Sequence, residues 1–271
     1  MRRAAAFKKK AVSRFPFIVS GGLAVLAFPP LSLTPCAWLF LVPLLLTARN
    51  LSLGIAFRRG WWAGLVFNVS LLYWIAFNTG TSVFIASASL LGILFIVPLY
   101  WGIFTLFWAF LSNRWGDRAA LALPAIWVGL EVIKNSPEIG FPWQELGLTQ
   151  LPLLPVAQLA ELGGIRLVSA GVIAANVALF LLIRKRLRFS LVLIGLLAIT
   201  GLWGWWRQNH LPAPGPELHV ALLQGNVDPA SKWLEHPDSS MVLYEELTRR
   251  AAQNQKLHLI IWPETAAPCY L

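Results

Sequence analysis

Glu264 follows the apolar run Leu259-Ile260-Ile261-Trp262-Pro263, in a chain that holds only 12 Asp and Glu among 271 residues. A carboxylate partly withdrawn from water binds its proton more tightly and can act as a base near neutral pH. The plainer alternative is that Glu264 closes a strand-end turn with Thr265, and the residue types alone leave both readings open. The other candidates for chemistry are sparse. Two cysteines, Cys36 and Cys269, make no disulfide framework and lack metal-ligand spacing. The four histidines, His210, His219, His236 and His258, form no H-x-x-x-H or H-E-x-x-H pattern and read as solvated or strand-face side chains. No metal or cofactor is expected.

The elements that position Glu264 can be traced backwards from it. Leu218–Leu223 reads as a buried strand that ends at the turn Gln224-Gly225-Asn226. Asp238 or Ser239 can cap a helix running to about Asn254, with Leu243, Leu247 and Ala251 along one face. Leu257–Trp262 reads as a second strand. Strand, helix, strand is a βαβ unit, whose strands run parallel with a right-handed crossover. Parallel strands share a carboxyl edge, where open α/β sheets hold their ligands. Gln224, Asn226 and Glu264 all fall on that edge. Position alone flags Glu264.

The rest of the chain is of another kind. Hydrophobic residues make up 57%, charged residues 13%, and the mean hydropathy is +0.65. Soluble domains keep about a quarter of their residues charged. Seven apolar runs are long enough, or nearly so, to cross a bilayer: 15–31, 33–48, 60–77, 83–111, 119–134, 161–183 and 189–206. Pro29, Pro30 and Pro35 make the first two a tight helical hairpin, and Pro98 tilts or kinks the fourth. Basic residues fill alternate loops. Arg2, Arg3, Lys8, Lys9, Lys10 and Arg14 precede the first run, and Arg49, Arg58 and Arg59 follow the second. Arg114 and Arg118 follow the fourth, and Arg184, Lys185, Arg186 and Arg188 the sixth, whereas 78–82 and 135–160 hold no Lys or Arg. This alternation predicts seven spans, a cytoplasmic amino terminus and everything after Trp206 on the outer face. The net charge of +10 is thereby explained by topology rather than by nucleic acid.

Details within the spans agree. Trp61, Trp62, Trp203, Trp205 and Trp206 stand at interfacial depths, as anchors or as lipid contacts. A cleaved leader ending near Leu33-Thr34-Pro35-Cys36 would break the charge alternation, so the first run is expected to stay, with Cys36 an inert thiol at the hairpin. Glu131 and Lys134 stand three apart near the outer end of the fifth run, as a structural pair or a head-group contact. Asn68, Asn78 and Asn176 are expected to make interhelical or interfacial hydrogen bonds. The expected order is a basic amino terminus (1–14), a seven-span domain (15–206), a linker (207–217) stiffened by Pro212, Pro214 and Pro216, and an α/β segment (218–271).

Three short motifs resemble one family. Leu259-Ile260-Ile261-Trp262-Pro263-Glu264-Thr265 resembles the W-P-E element of the nitrilase (carbon–nitrogen hydrolase) superfamily. Gln224-Gly225-Asn226 followed by Lys232-Trp233, and Gly140-Phe141-Pro142-Trp143 followed by Leu146-Gly147 and Gln150, resemble elements of its membrane-bound branch, the apolipoprotein N-acyltransferases. The resemblance covers essentially the whole chain. It implies a helical membrane domain joined to an αββα nitrilase-like domain outside a bacterial inner membrane. It also implies transfer of an acyl chain from a phospholipid, through a cysteine thioester, to the α-amino group of an apolipoprotein's lipid-modified cysteine. Glu264 would be the base of a Glu-Lys-Cys triad, with Trp233, Gln224, Asn226, Phe141 and Trp143 against substrate. The Lys and the nucleophilic Cys are expected beyond Leu271, since Cys269 follows Glu264 too closely, so the 271-residue chain is expected to be truncated and inactive alone. A non-catalytic binding or regulatory membrane module is the alternative, and a transporter subunit a further one.

Overall fold

A computed structural model describes residues 15–78, 80–136, 140–211, 215–227, 237–253, 256–263 and 266. The chain divides into two compact units: Met1–Tyr73 with Leu90–Leu211, and Trp74–Ser89 with Pro212–Leu271.

The first unit is helical. Its elements are α1 (Phe15–Ala27), α2 (Thr34–Ala37), α3 (Val42–Ala48), α4 (Leu53–Leu72), the second half of α5 (Val83–Ile96), α6 (Pro98–Trp115), α7 (Leu123–Lys134), α8 (Leu154–Ala157), α9 (Ala160–Ile183) and α10 (Leu187–Asn209). Among the described residues, four helical stretches are long and apolar enough to cross a membrane: Leu53–Phe77, Val83–Lys134, Ala160–Ile183 and Leu187–Asn209. The expected count of seven is not reached by length and composition, for identifiable reasons. The first two runs form the shorter helices Phe15–Ala27 and Thr34–Ala48, the first of 13 residues. At 1.5 Å per residue a helix of that length covers only about 20 Å of a roughly 30 Å hydrocarbon core. The fourth and fifth runs count as one apolar stretch, Val83–Lys134, although the backbone breaks between α6 and α7 at Gly116 (φ 67°, ψ −156°) and the 3-10 segment Gly116–Ala122. Pro98 stands at the first position of α6 and Val97 keeps helical dihedrals (φ −65°, ψ −36°), so the proline interrupts the helix without reversing it.

In an apolar medium, close packing and hydrogen bonds hold helices together. The α4–α6 pair shows how. At Gly60 an added Cβ would stand 2.3 Å from the Trp101 carbonyl oxygen, and at Gly64 2.8 Å from the Trp101 side chain. Bare backbone at these two positions therefore lets the helices touch. Trp108, fully buried, donates from Nε1 to the Leu45 carbonyl at 2.9 Å and sets its ring edge-on to Phe180 at 5.2 Å. One side chain thus ties α3, α6 and α9. Asn176 makes the expected bonds between elements, Oδ1 accepting from Leu41 N at 2.9 Å and Nδ2 donating to the Ala37 carbonyl at 2.7 Å, and Nδ2 also donates to the Val172 carbonyl (2.9 Å) in its own helix. The other two asparagines bond locally instead. Asn68 donates to the Gly64 carbonyl one turn back in its own helix, and Asn78 accepts from Gly80 N in a turn.

Three of the basic loops converge on one buried acid. Asp117, in the short 3-10 segment Gly116–Ala122, is paired with Arg49 at 2.7 Å, Arg186 at 3.2 Å and Arg184 at 3.5 Å. The loops after α3, α6 and α9 therefore meet at one end of the unit. At α9 and α10 a fork-shaped pair joins Glu161 to Arg207, with Nε–Oε2 and Nη2–Oε1 both at 2.7 Å.

In the second unit, β1 (Val220–Leu222) and β2 (Leu259–Ile261) pair in parallel, with Val220 opposite Leu259 and Leu222 opposite Ile261. Between them in sequence runs α11 (Pro237–Gln253). The βαβ unit is as expected, with the helix starting a residue earlier. The expectation of a buried first strand is corrected: Leu222 is 74% exposed and Val220 42%. At the centre of each strand Ala221 and Ile260 are half-buried, and the side chains on either side of them stay open. His219 and His258 stack at the strand entrances, ring centroids 5.5 Å apart, which fits the strand-face reading of these residues.

Candidate functional site

Two places hold the residues singled out by sequence. In the second unit, the carboxyl ends of β1 and β2 are fastened by α11. Tyr244, 5% exposed, accepts the Gly225 N–H on its hydroxyl at 3.1 Å, and its ring lies 5.6 Å from that of Trp262. One turn later Thr248 accepts the Trp262 indole N–H on Oγ1 at 3.0 Å. The i, i+4 spacing of Tyr244 and Thr248 puts both on the helix face that meets the strand ends. The turn after β1 is itself organised: Gln224 Nε2 donates to Asn226 Oδ1 at 2.7 Å, and Asn226 takes a left-handed φ of 48°, which asparagine tolerates. Gln224, Asn226 and Pro263 thus share the carboxyl edge. Glu264, Lys232, Trp233 and Cys269 lie outside the described residues. Tyr244 and Thr248 were not singled out in the sequence; the apolar face Leu243, Leu247, Ala251 was, and both flank it.

In the first unit, the loop that carries Phe141 and Trp143 is knitted to three helices. Phe141 N donates to the Lys134 carbonyl at the end of α7, and its ring packs 5.4 Å from Trp143, which is 54% exposed. Leu146 N donates to Glu131 Oε1 at 2.9 Å, and Gly147 N to Ser169 Oγ of α9 at 2.9 Å. Thr34 Oγ1 donates to the Thr149 carbonyl at 3.2 Å, and Trp38 Nε1 to Gln150 Oε1 at 3.0 Å, which brings in α2 and the residue after it. Gly147 lies so close to α9 that a Cβ there would stand 2.5 Å from the Ile165 carbonyl oxygen. Each of Leu146, Gly147 and Gln150 has a place in this docking. Glu138, in the same loop, lies outside the described residues.

Behind the loop is a small cavity of about 40 Å³. Its apolar wall includes Phe28, Phe40, Phe67, Trp101 and Trp127, and its polar lining is Glu131, Lys134, Gln144 and Tyr100. Glu131 and Lys134 are 3% and 7% exposed, yet among the described residues no ion pair within 4.0 Å joins them. The direct structural pair expected from their spacing is therefore replaced by another arrangement. Glu131 Oε1 is held by Trp127 Nε1 at 3.0 Å and by Leu146 N, and the Ser169 hydroxyl also donates to this carboxylate. Gln144 Nε2 has no hydrogen-bond partner among the described residues. The acid, the cation and the amide all line one aromatic-walled space. Gln144 was missed in the sequence, although it directly follows the Phe-Pro-Trp motif.

Residues 20–178 match the model of the apolipoprotein N-acyltransferase N-terminal domain, more than half of the chain. The chain belongs to the apolipoprotein N-acyltransferase family. It is 34% identical over 266 residues to the apolipoprotein N-acyltransferase of Geobacter metallireducens, across 93% of this chain and 51% of that protein. The Azotobacter vinelandii protein of the same name is 35% identical over 269 residues (93% and 50%), and that of Chlorobaculum tepidum 31% over 263 (92% and 48%). The chain spans about half the length of the curated relatives it matches. The docked Phe-Pro-Trp loop, with Glu131 and the cavity, falls inside the matched residues. Family membership together with the apolar helices makes this a membrane protein.

Proposed function

We propose that this chain provides the membrane domain and the first catalytic element of an enzyme that carries an acyl chain from a phospholipid to the amino terminus of an apolipoprotein. Family membership is the observation that carries the reading, and the parallel βαβ unit supports it. Glu264 is the proposed base. It takes the proton of a cysteine thiol, the thiolate attacks the phospholipid ester carbonyl, and the lysophospholipid leaves with an acyl-thioester formed. The free α-amino group of the acceptor's diacylglyceryl-cysteine then attacks the thioester, forms the amide and returns the thiol. By resemblance the thiol and an oxyanion-holding lysine belong to a later part of the nitrilase-like domain. Gln224, Asn226 and Trp233 on the sheet edge, and Phe141 and Trp143 on the loop, are proposed to contact the lipid-linked substrates.

Both substrates are confined to the membrane, so the active site belongs over the leaflet that holds them. We read the chain as crossing a bacterial inner membrane seven times, with the basic loops inside and residues 218–271 outside. The meeting of Arg49, Asp117, Arg184 and Arg186 supports this, because it needs the three loops on one side. The test is transfer of a labelled acyl chain from phospholipid to a diacylglyceryl-cysteine peptide by the enzyme that contains this sequence. Glu264→Gln is expected to abolish acyl-enzyme formation with membrane insertion intact, and undiminished acyl-enzyme would refute the role.

A further inference from the structure

The segment Leu146–Gln150 is a short 3-10 turn whose first two amides have no acceptor within the turn. Glu145, the residue before it, caps neither with its side chain. Two helices supply the acceptors instead. Glu131 of α7 takes the Leu146 N–H at 2.9 Å, and Ser169 of α9 takes the Gly147 N–H at 2.9 Å. The two acceptors are themselves linked, because the Ser169 hydroxyl donates to the Glu131 carboxylate. Trp127 Nε1 adds a further donor from one turn back in α7. Glu131 is 3% exposed, and the donors it gathers are an indole, a backbone amide and a hydroxyl.

The place of this network in the loop gives it a use. Phe141 N donates to the Lys134 carbonyl at 3.1 Å, and further along Leu146 N is fastened to Glu131. Between these two anchors stands Trp143, 54% exposed, with its ring 5.4 Å from that of Phe141, while Gln144 beside it is buried. Backbone held at both ends leaves the aromatic pair few orientations, which spares a partner the entropy of ordering it. An interior carboxylate is costly among apolar helices, and a leucine would fill its place without that cost. What the carboxylate adds is acceptance of the loop's donors. We infer that Glu131 is a positioning residue, which with Ser169 holds Phe141 and Trp143 in the orientation that the lipid-linked substrates meet. This role deepens the proposed substrate contacts of the two aromatics and rests on them.

The role depends on acceptance rather than on charge, so an amide of the same shape should serve as well as the acid. Kinetics are measured on the enzyme that contains this sequence, with a labelled phospholipid and a diacylglyceryl-cysteine peptide. Glu131→Leu removes the acceptors. It is expected to raise about tenfold the same KM that Phe141→Ala/Trp143→Ala raises, with kcat within about twofold of wild type. Glu131→Gln should keep that KM within about twofold of wild type. Adding Glu131→Leu to the Phe141→Ala/Trp143→Ala variant should change its KM by less than about twofold, since the acid acts through those rings. A combined KM that multiplies the separate effects, or a folded Glu131→Gln variant as impaired as Glu131→Leu, overturns the role. Unchanged kinetics of Phe141→Ala/Trp143→Ala would instead refute the substrate contacts themselves, and the positioning role with them. Fluorine NMR with fluorinated tryptophan, its Trp143 signal assigned by Trp143→Phe, gives a readout apart from turnover. Should Glu131→Leu fail to fold, Ser169→Ala still decides: it is expected to shift or broaden the Trp143 signal, and an unmoved signal overturns the role.

Discussion

Arg49 Nε stands 2.7 Å from Asp117 Oδ1, a contact that ties the loop after α3 to the turn after α6. Asp117 is 2% exposed and also faces Arg184 and Arg186, whose side chains are 38% and 56% exposed. Water screens the arginines more than the acid, which limits what the cluster contributes. Asp117→Asn keeps the shape and removes the charge. It is expected to destabilise the purified protein by about 1–2 kcal/mol, between the values for exposed and buried pairs. Thermal unfolding in detergent reads this as a lower midpoint, with the gap from wild type narrowing at high salt. An unchanged midpoint at low salt would show that the cluster is decoration.

Gly147 sits where the loop presses on α9. A methyl group there meets the Ile165 carbonyl at 2.5 Å and must push the loop away, which also stretches the Gly147 N–Ser169 Oγ bond. Gly147→Ala is therefore expected to cost about 1–3 kcal/mol, in the range of overpacked interiors. Limited proteolysis should cut the variant within 140–150 faster than wild type. Equal resistance would mean that the loop is not held at this point.

The two units differ in how plainly the sequence announced them. The parallel pairing of Val220–Leu222 with Leu259–Ile261 was readable from apolar runs, a turn triplet and one amphipathic helix. The burial of those strands was not, because burial depends on what covers each face, which the alternation within a strand does not record. In the membrane domain, the alternating basic loops foretold that Arg49 and Arg184 share a side. Asp117, the acid they meet on, has no local mark among its neighbours Gly116 and Arg118. The spacing of Glu131 and Lys134 invited a direct pair. Glu131 is instead claimed by Trp127 one turn away and by the backbone of Leu146, a partner that periodicity within one helix cannot reveal. Where prolines cluster, the runs 15–31 and 33–48 fold into helices shorter than themselves, Phe15–Ala27 and Thr34–Ala48, because hydropathy counts residues and does not see where the backbone turns.

Tyr244 and Thr248 hold the carboxyl edge of the small sheet. Tyr244→Phe removes the acceptor of the Gly225 N–H, which lies in a partly buried site. The expected cost is about 1 kcal/mol of local stability. Hydrogen exchange should show it as faster exchange of the Gly225 amide, with the amides of α6 unchanged. Thr248→Val should do the same to the Trp262 indole proton. If neither proton exchanges faster, the two contacts do not hold the turn.

The proposed orientation puts Arg118 and Lys185 on one side of the membrane and Gly215 on the other. Cys36 and Cys269 are first replaced by serine, and single cysteines are then introduced as Arg118→Cys, Lys185→Cys and Gly215→Cys. An impermeant maleimide is applied to intact spheroplasts and to permeabilised ones. Gly215→Cys should react in both, whereas Arg118→Cys and Lys185→Cys should react only after permeabilisation. In the proposed orientation these two loops are assigned to the cytoplasm by the positive-inside bias, since their arginines lie close to the helix ends. Gly215 follows α10, which ends at Asn209, so its side is set by the number of crossings before it. Labelling of all three positions under the same condition would place the α/β segment beside the basic loops, away from any outer-leaflet substrate, and the proposed reaction would have no site in which to occur.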